Sequence, residues 1–259
     1  LSAAIGCLVN AGDEILVPDP GYPNYSLAVS HYGGTPVFYD LKSENNFEYC
    51  IENILVKITK KTKAIIINSP SNPTGSIASK TFLDKLVTLC EKNKIWIISD
   101  EVYNKLVYDN VFYSPLASKS PYVISIYSFS KNYNLCGLRI GYLICTEPSF
   151  QKAMLNSQEL YISCASSLGQ YVAYKTIKNL TDYVEHSKHK YKSRLDVVQS
   201  QCSYISSNPS GAFYVLIDIS STGKKSTEFS IDLLNKTKVV VAPGSCFGPN
   251  SDKYIRISL

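Results

Sequence analysis

The stretch YSFSKNYNLCGLRIGY, residues 127–142, sets Lys131 behind Ser128 and Ser130 and ahead of Arg139, among apolar residues, small residues and tyrosines. Two cations in such a setting need anionic or electrophilic partners, because an unpaired charge beside an apolar interior is costly. Two earlier segments carry groups of complementary type. Asn72 stands in Ser69-Pro70-Ser71-Asn72-Pro73-Thr74-Gly75, and Asp100 leads Asp100-Glu101-Val102-Tyr103. An amide, a carboxylate with a phenol three residues on, and a lysine flanked by hydroxyls bring acid, base and hydrogen-bonding chemistry together. Singly, each has a plain structural explanation. Residues 72–75 read as a turn and helix entry, Asp100 as a helix cap, Lys131 as a lysine reaching solvent past a buried strand, and Arg139 as half of an ion pair. Those explanations leave unaccounted for the joint placement of all four at successive strand ends.

The strand ends follow from the hydropathy pattern. Residues 14–17, 35–39, 64–68, 95–99, 123–127 and 138–144 are short runs rich in β-branched and aromatic side chains. Several are continuously apolar, as expected of parallel strands covered on both faces. Helical patterns lie between them at 25–32, 51–58 and 80–92, the last with Phe82, Leu83, Leu86, Val87 and Cys90 at the helical period. The alternation predicts an α/β domain built on a mainly parallel, doubly wound sheet, with ligands gathered at the carboxyl ends of the strands. From about residue 150 long helical stretches take over, then a strand pattern at 212–219, a helix at 226–235 and two more short strands. We expect a large domain over 1–179, including the start of a connecting helix, and part of a smaller α+β domain over 180–259.

Bulk properties narrow the function classes. The 259 residues carry a net charge of +5 without a long basic run, which points away from nucleic acid, and no apolar run approaches a membrane span. Eight cysteines occur singly, with no CxxC pair and no His/Cys grouping at ligand spacing, so neither a metal site nor a disulfide framework is expected. A reducing compartment, the cytoplasm, fits best. The chain opens on LSAAIGCLVNAGDEILV and stops at YIRISL inside a strand pattern, which reads as a piece of a longer protein.

SxSK followed eight residues later by the arginine of GxRxGY, with NPTG and DEVY on the two preceding strands, resembles the class I/II aminotransferases of fold type I, which use pyridoxal 5'-phosphate. DPGYPNY at 19–25 is similar to the family's segment bearing the aromatic that stacks on the cofactor, and GAFYVLID at 211–218 to its small-domain strand. The resemblance runs to Arg256. It implies a large cofactor-binding domain and assigns the residues. Lys131 would hold the cofactor aldehyde as a Schiff base and carry a proton between the substrate α-carbon and the cofactor. Asp100 would pair with the pyridine nitrogen. Asn72 and Tyr103 would donate to the ring's phenolic oxygen, with Asn72 also near the substrate, and Tyr22 would stack on the ring. Ser128, Ser130 and Arg139 would take the phosphate, and Arg256 the substrate α-carboxylate.

The activity so implied is transfer of an amino group from an L-amino acid to a 2-oxo acid by a ping-pong mechanism, in a homodimer. Two other readings share these residues: a lyase on the same fold (a C–S lyase, or an elimination like that of 1-aminocyclopropane-1-carboxylate synthase), and a catalytically silent homologue. The family's glycine-containing phosphate loop and substrate-covering N-terminal segment are expected upstream of Leu1.

Overall fold

Residues 1–180 and 182–259 are described by the structure, a computed structural model. Six strands, β1 (Glu14–Asp19), β2 (Thr35–Asp40), β3 (Thr62–Asn68), β4 (Trp96–Asp100), β5 (Val123–Ser128) and β6 (Gly141–Cys145), form one sheet in the order β2-β1-β3-β4-β5-β6. Neighbours are parallel except β5 and β6. Short helices α1 (Ser2–Gly6), α2 (Asn24–His31), α3 (Ile51–Leu55) and the longer α4 (Lys80–Asn93) cover the first four strands. The four-residue α5 (Phe129–Asn132) leaves β5, and α6 (Pro148–Ile162), α7 (Ser167–Asn179) and α8 (Tyr183–Gln201) follow β6.

The continuous apolar runs are explained by the two-residue period of a strand with both faces covered. Ile65, Ile67 and Ile97 pack with Phe82, Leu83, Leu86 and Cys90 of α4. Ala64, Ile66 and Ile98 point to the other face, against Ile5, Val29 and Phe150. Ser79 caps α4 by accepting the Phe82 N–H at 3.2 Å.

Local departures from the sequence pattern have identifiable causes. The helix expected over 51–58 ends at Leu55, and Ile54 is its sole buried side chain, too narrow an apolar face to extend it. The strand expected from 138 starts at Gly141, because Arg139 adopts a left-handed backbone (φ 55°) incompatible with extended geometry. β6 lies at the margin of the sheet with Tyr142 and Ile144 exposed, so it is not the doubly covered strand that its composition resembles.

The remaining strands, β7 (Tyr214–Asp218), β8 (Ala242–Pro243) and β9 (Tyr254–Ser258), form an antiparallel sheet in the order β7-β9-β8, with α9 (Ser226–Thr237) between β7 and β8. This unit is fastened to the large sheet at the site. Gly75 O accepts from Ser210 N and Gly211 N at 2.9 and 3.0 Å. Gly75 has φ +71°, and a Cβ there would lie 2.4 Å from Pro209 Cβ, so both conformation and contact require glycine. On the other side buried Asp19, at the end of β1, accepts from Ser251 Oγ at 2.8 Å and Asn250 N at 2.9 Å.

Candidate active site

The chain runs from β1 outward to β2 and returns to β3, so the direction of winding reverses between β1 and β3. Their carboxyl ends border the crevice where open α/β sheets bind ligands. Asp19 ends β1, Asn68 ends β3, Asp100 ends β4 and Ser128 ends β5.

Asp100 is buried, and the hydroxyl of Tyr25 donates to its Oδ2 at 2.8 Å. Its Oδ1 is met by the Val102 N–H at 3.4 Å, a weak contact that leaves this oxygen open to a stronger donor. Burial raises the Asp100 pKa above the ordinary carboxylate value; the Tyr25 hydroxyl, the Val102 N–H and the charge of Lys131 pull it partly back. Lys131, in α5, is partly buried and has neither a hydrogen bond nor an ion pair among the described residues. Ser128 caps α5 by accepting the Ser130 N–H at 3.1 Å.

Asn72 is fixed by its own N–H, which donates to Asn68 Oδ1 at 2.7 Å. Its side-chain Oδ1 accepts from Arg256 Nη1 at 2.9 Å, which leaves the amide NH2 to donate elsewhere. Arg256 projects from β9 with its guanidinium carbon 4.3 Å from the Tyr214 ring centroid and 4.9 Å from that of Phe247. Its Nε is buried and unpartnered, and no carboxylate lies within ion-pair distance among the described residues. Tyr103 is buried, and its hydroxyl lies 3.1 Å from that of Tyr214. Burial pushes the Tyr103 phenol well above its usual pKa, so it is a neutral donor.

The other sequence-predicted residues differ in exposure. Tyr22 is 37% exposed, meets the Tyr25 ring edge-on at 5.5 Å between centroids, and lines a cleft with Phe38, Phe247 and Gly248. Ser130 is buried. Arg139 is exposed; its Nη1 donates to the Cys136 carbonyl at 3.0 Å and it pairs with no carboxylate among the described residues. The pairing of Ser128 with Gly141 brings Arg139 back to the strand end that carries the serines.

Sequence reasoning passed over Tyr25, Tyr214, Phe247 and Glu101. Tyr25 stood inside the quoted DPGYPNY, three residues from Tyr22, and burial in the first turn of α2 is what singles it out. Glu101, fully buried, turns away from Asp100 and accepts from Ser114 Oγ at 2.7 Å and Ser125 Oγ at 2.8 Å, while Oε2 has no partner. Burial raises its pKa, and the surrounding hydroxyls of Ser114, Tyr127, Ser125 and Ser99 offset part of the rise. For an acid with a raised folded pKa, the stabilising contribution is full below the unfolded value, about 4.3, and is lost as pH climbs through the folded one. Glu101→Gln is therefore expected to gain thermal stability over wild type as pH rises from 4 to 8, by about 2–4 °C per kcal/mol relieved. Thermal unfolding across that range measures it; a difference independent of pH contradicts the assignment.

Together these groups present a buried carboxylate with one open oxygen, an unpaired amine, neutral phenol and amide donors, and a guanidinium lacking an anion. Comparisons with known proteins bear on the family. Residues 1–259 match the model of the family described as aminotransferase class I and II. A putative aminotransferase of Bacillus subtilis is 36% identical over 264 residues, covering 100% of this chain and 68% of the relative. A probable aspartate/prephenate aminotransferase of Aquifex aeolicus is 38% identical over 266 residues, covering 97% and 66%. Among solved structures, an aspartate aminotransferase double mutant of Thermus thermophilus superposes with a TM-score of 0.94 at 27% identity, covering 99% of this chain and 68% of that one. An aromatic aminotransferase of Pyrococcus horikoshii gives 0.93 at 32% identity, covering 99% and 71%. The chain thus spans about two thirds of the length of the curated relatives it matches.

Proposed function

Because the chain belongs to the class I and II aminotransferases, a family dependent on pyridoxal phosphate, we propose that the full-length protein transfers the amino group of an L-amino acid to a 2-oxo acid in two half-reactions at this one site. The observation that carries the proposal is Arg256: a guanidinium packed against two aromatic rings, its Nε sealed from water, with no carboxylate beside it among the described residues. Leaving a buried cation uncompensated is costly, and a planar fork fits an α-carboxylate in bidentate fashion.

The residues present fit the cofactor. Asp100 has an oxygen open for a ring N–H, Lys131 is an amine without a partner, and Asn72 and Tyr103 offer donors to a ring oxygen. Tyr22 offers a ring face, and Ser128, Ser130 and Arg139 would hold the phosphate. When bound, pyridoxal phosphate supplies an electron-withdrawing ring that stabilises negative charge at the substrate α-carbon and stores the amino group between half-reactions. Lys131 would take the proton from the substrate α-carbon and pass it on to the cofactor, a task that requires the amine to be neutral part of the time. Asp100 stays ionised against its cationic ring partner. Arg256, braced by Asn72, fixes which α-bond faces Lys131.

We assign the cofactor to residues 1–179 and read 180–259 as part of a smaller domain that closes the site through Arg256. A homodimer is proposed, supported by exposed apolar side chains along α6 and α7, among them Leu155, Leu160, Tyr161, Leu168 and Tyr171. No described helix is long and apolar enough to cross a membrane. The cytoplasm is proposed on the strength of eight cysteines that are all free.

Incubating the full-length protein with amino acids and 2-oxoglutarate is expected to yield glutamate and the matching 2-oxo acid. Pyruvate and ammonia without glutamate would replace transamination by the lyase reading, and no product with any amino acid would leave a silent homologue. Arg256→Gln is expected to raise KM for the amino acid about 100-fold, the scale of a lost pair of charge-assisted hydrogen bonds. An unchanged KM removes Arg256 from the carboxylate site.

A further inference from the structure

We propose that Tyr214 is a positioning residue of this site, one that sets the donor direction of Tyr103 and holds Arg256 in its plane; the proposal rests on the transaminase reading. Tyr214 opens β7 and is buried, with its hydroxyl 3.1 Å from Tyr103 and its ring face 4.3 Å from the Arg256 guanidinium carbon. Tyr103 follows β4 in the large sheet and Arg256 lies on β9 in the small one. One side chain therefore touches both the phenol assigned to the cofactor's ring oxygen and the arginine assigned to the substrate.

The direction of the phenol–phenol hydrogen bond decides what Tyr103 can do. A phenol has one proton to donate. If Tyr103 gave it to Tyr214, none would remain for the ring oxygen. A guanidinium over the Tyr214 ring draws electron density from its π-face and strengthens its hydroxyl as a donor. Tyr214 accordingly donates and Tyr103 accepts, so the Tyr103 proton points away into the site. Accepting that bond makes Tyr103 in turn a stronger donor. The same ring, together with Phe247 at 4.9 Å, packs against the guanidinium and restricts the direction of its unpartnered Nε edge.

Two substitutions separate the two roles. Tyr214→Phe removes the hydroxyl but leaves the ring under Arg256, whereas Tyr214→Leu removes both. The measurement uses full-length protein loaded with pyridoxal phosphate and follows the pH midpoint of its visible absorbance change together with KM for the amino acid. Tyr214→Phe is expected to move the midpoint by about 0.3 pH unit in the direction of Tyr103→Phe, a smaller shift because only the outer link of the chain is lost. Adding Tyr214→Phe to Tyr103→Phe is expected to produce no further shift, since the two hydroxyls act in series. KM is expected to rise about tenfold in Tyr214→Leu and not in Tyr214→Phe, the scale of a lost cation–π contact. A wild-type band whose midpoint is identical in Tyr214→Phe, or an additive shift in the double variant, overturns the role of Tyr214 and leaves the transaminase reading standing. A loaded wild-type protein with no visible band overturns that reading and this one with it.

Discussion

Lys131→Ala is expected to replace the Schiff-base absorbance of the full-length protein with bound cofactor by that of the free aldehyde and to lower transaminase turnover by about 10⁴-fold or more. Covalent attachment and proton transfer both depend on this one amine, and a positioned acid–base group alone contributes roughly 10²–10⁴-fold. The loss is expected without unfolding. Lys131 makes no hydrogen bond or ion pair among the described residues, so truncation leaves no partner stranded. Absorbance, turnover and thermal unfolding measured on one preparation check all three parts. A variant that keeps the same borohydride-reducible adduct would falsify the assignment.

Asp100→Asn is expected to separate activity from stability. Turnover should fall about 10³-fold, the scale of removing a preorganised electrostatic contact to the reacting system. Cofactor-stripped protein, by contrast, should unfold at a higher temperature than wild type at pH 7. Burial holds the Asp100 pKa above its usual value, so the carboxyl's stabilising contribution is complete below the unfolded pKa, about 3.9, and is lost as pH rises through the folded one. Asparagine never ionises and still accepts from Tyr25. The gap between variant and wild type should therefore narrow toward pH 4, and a pH series of unfolding curves on stripped protein measures it. Full turnover in Asp100→Asn would sink the pairing with the ring nitrogen.

Asp100 and Tyr103 were legible because DEVY follows a run of branched apolar residues whose only reasonable fate is a buried parallel strand. Their supports were not. Tyr25 and Tyr22 are equivalent letters in DPGYPNY until α2 packs on the sheet and buries one of them against Asp100. Tyr214 became a neighbour of Arg256 only through the antiparallel pairing of β7 with β9, a relation between segments some forty residues apart that no local pattern encodes. Arg139 sat in a run that scans as strand, and its left-handed backbone is set by the turn that returns the chain to Ser128. Local sequence therefore described the strands and which residues stand at their tips, while side-chain partners reflected tertiary packing.

The contact between Arg256 and Asn72 joins residues 184 positions apart, and that between Ser251 and Asp19 spans 232. Long-range closures of this kind form late, because the loop entropy they cost is met only after the intervening chain has folded. Synthesis proceeds from the N-terminus, so the large sheet with Asp100 and Lys131 emerges from the ribosome well before Arg256 does. On the assignments proposed above, a nascent chain presents the amine and the carboxylate first, and the grip on a substrate α-carboxylate arrives only once β9 has been made and paired.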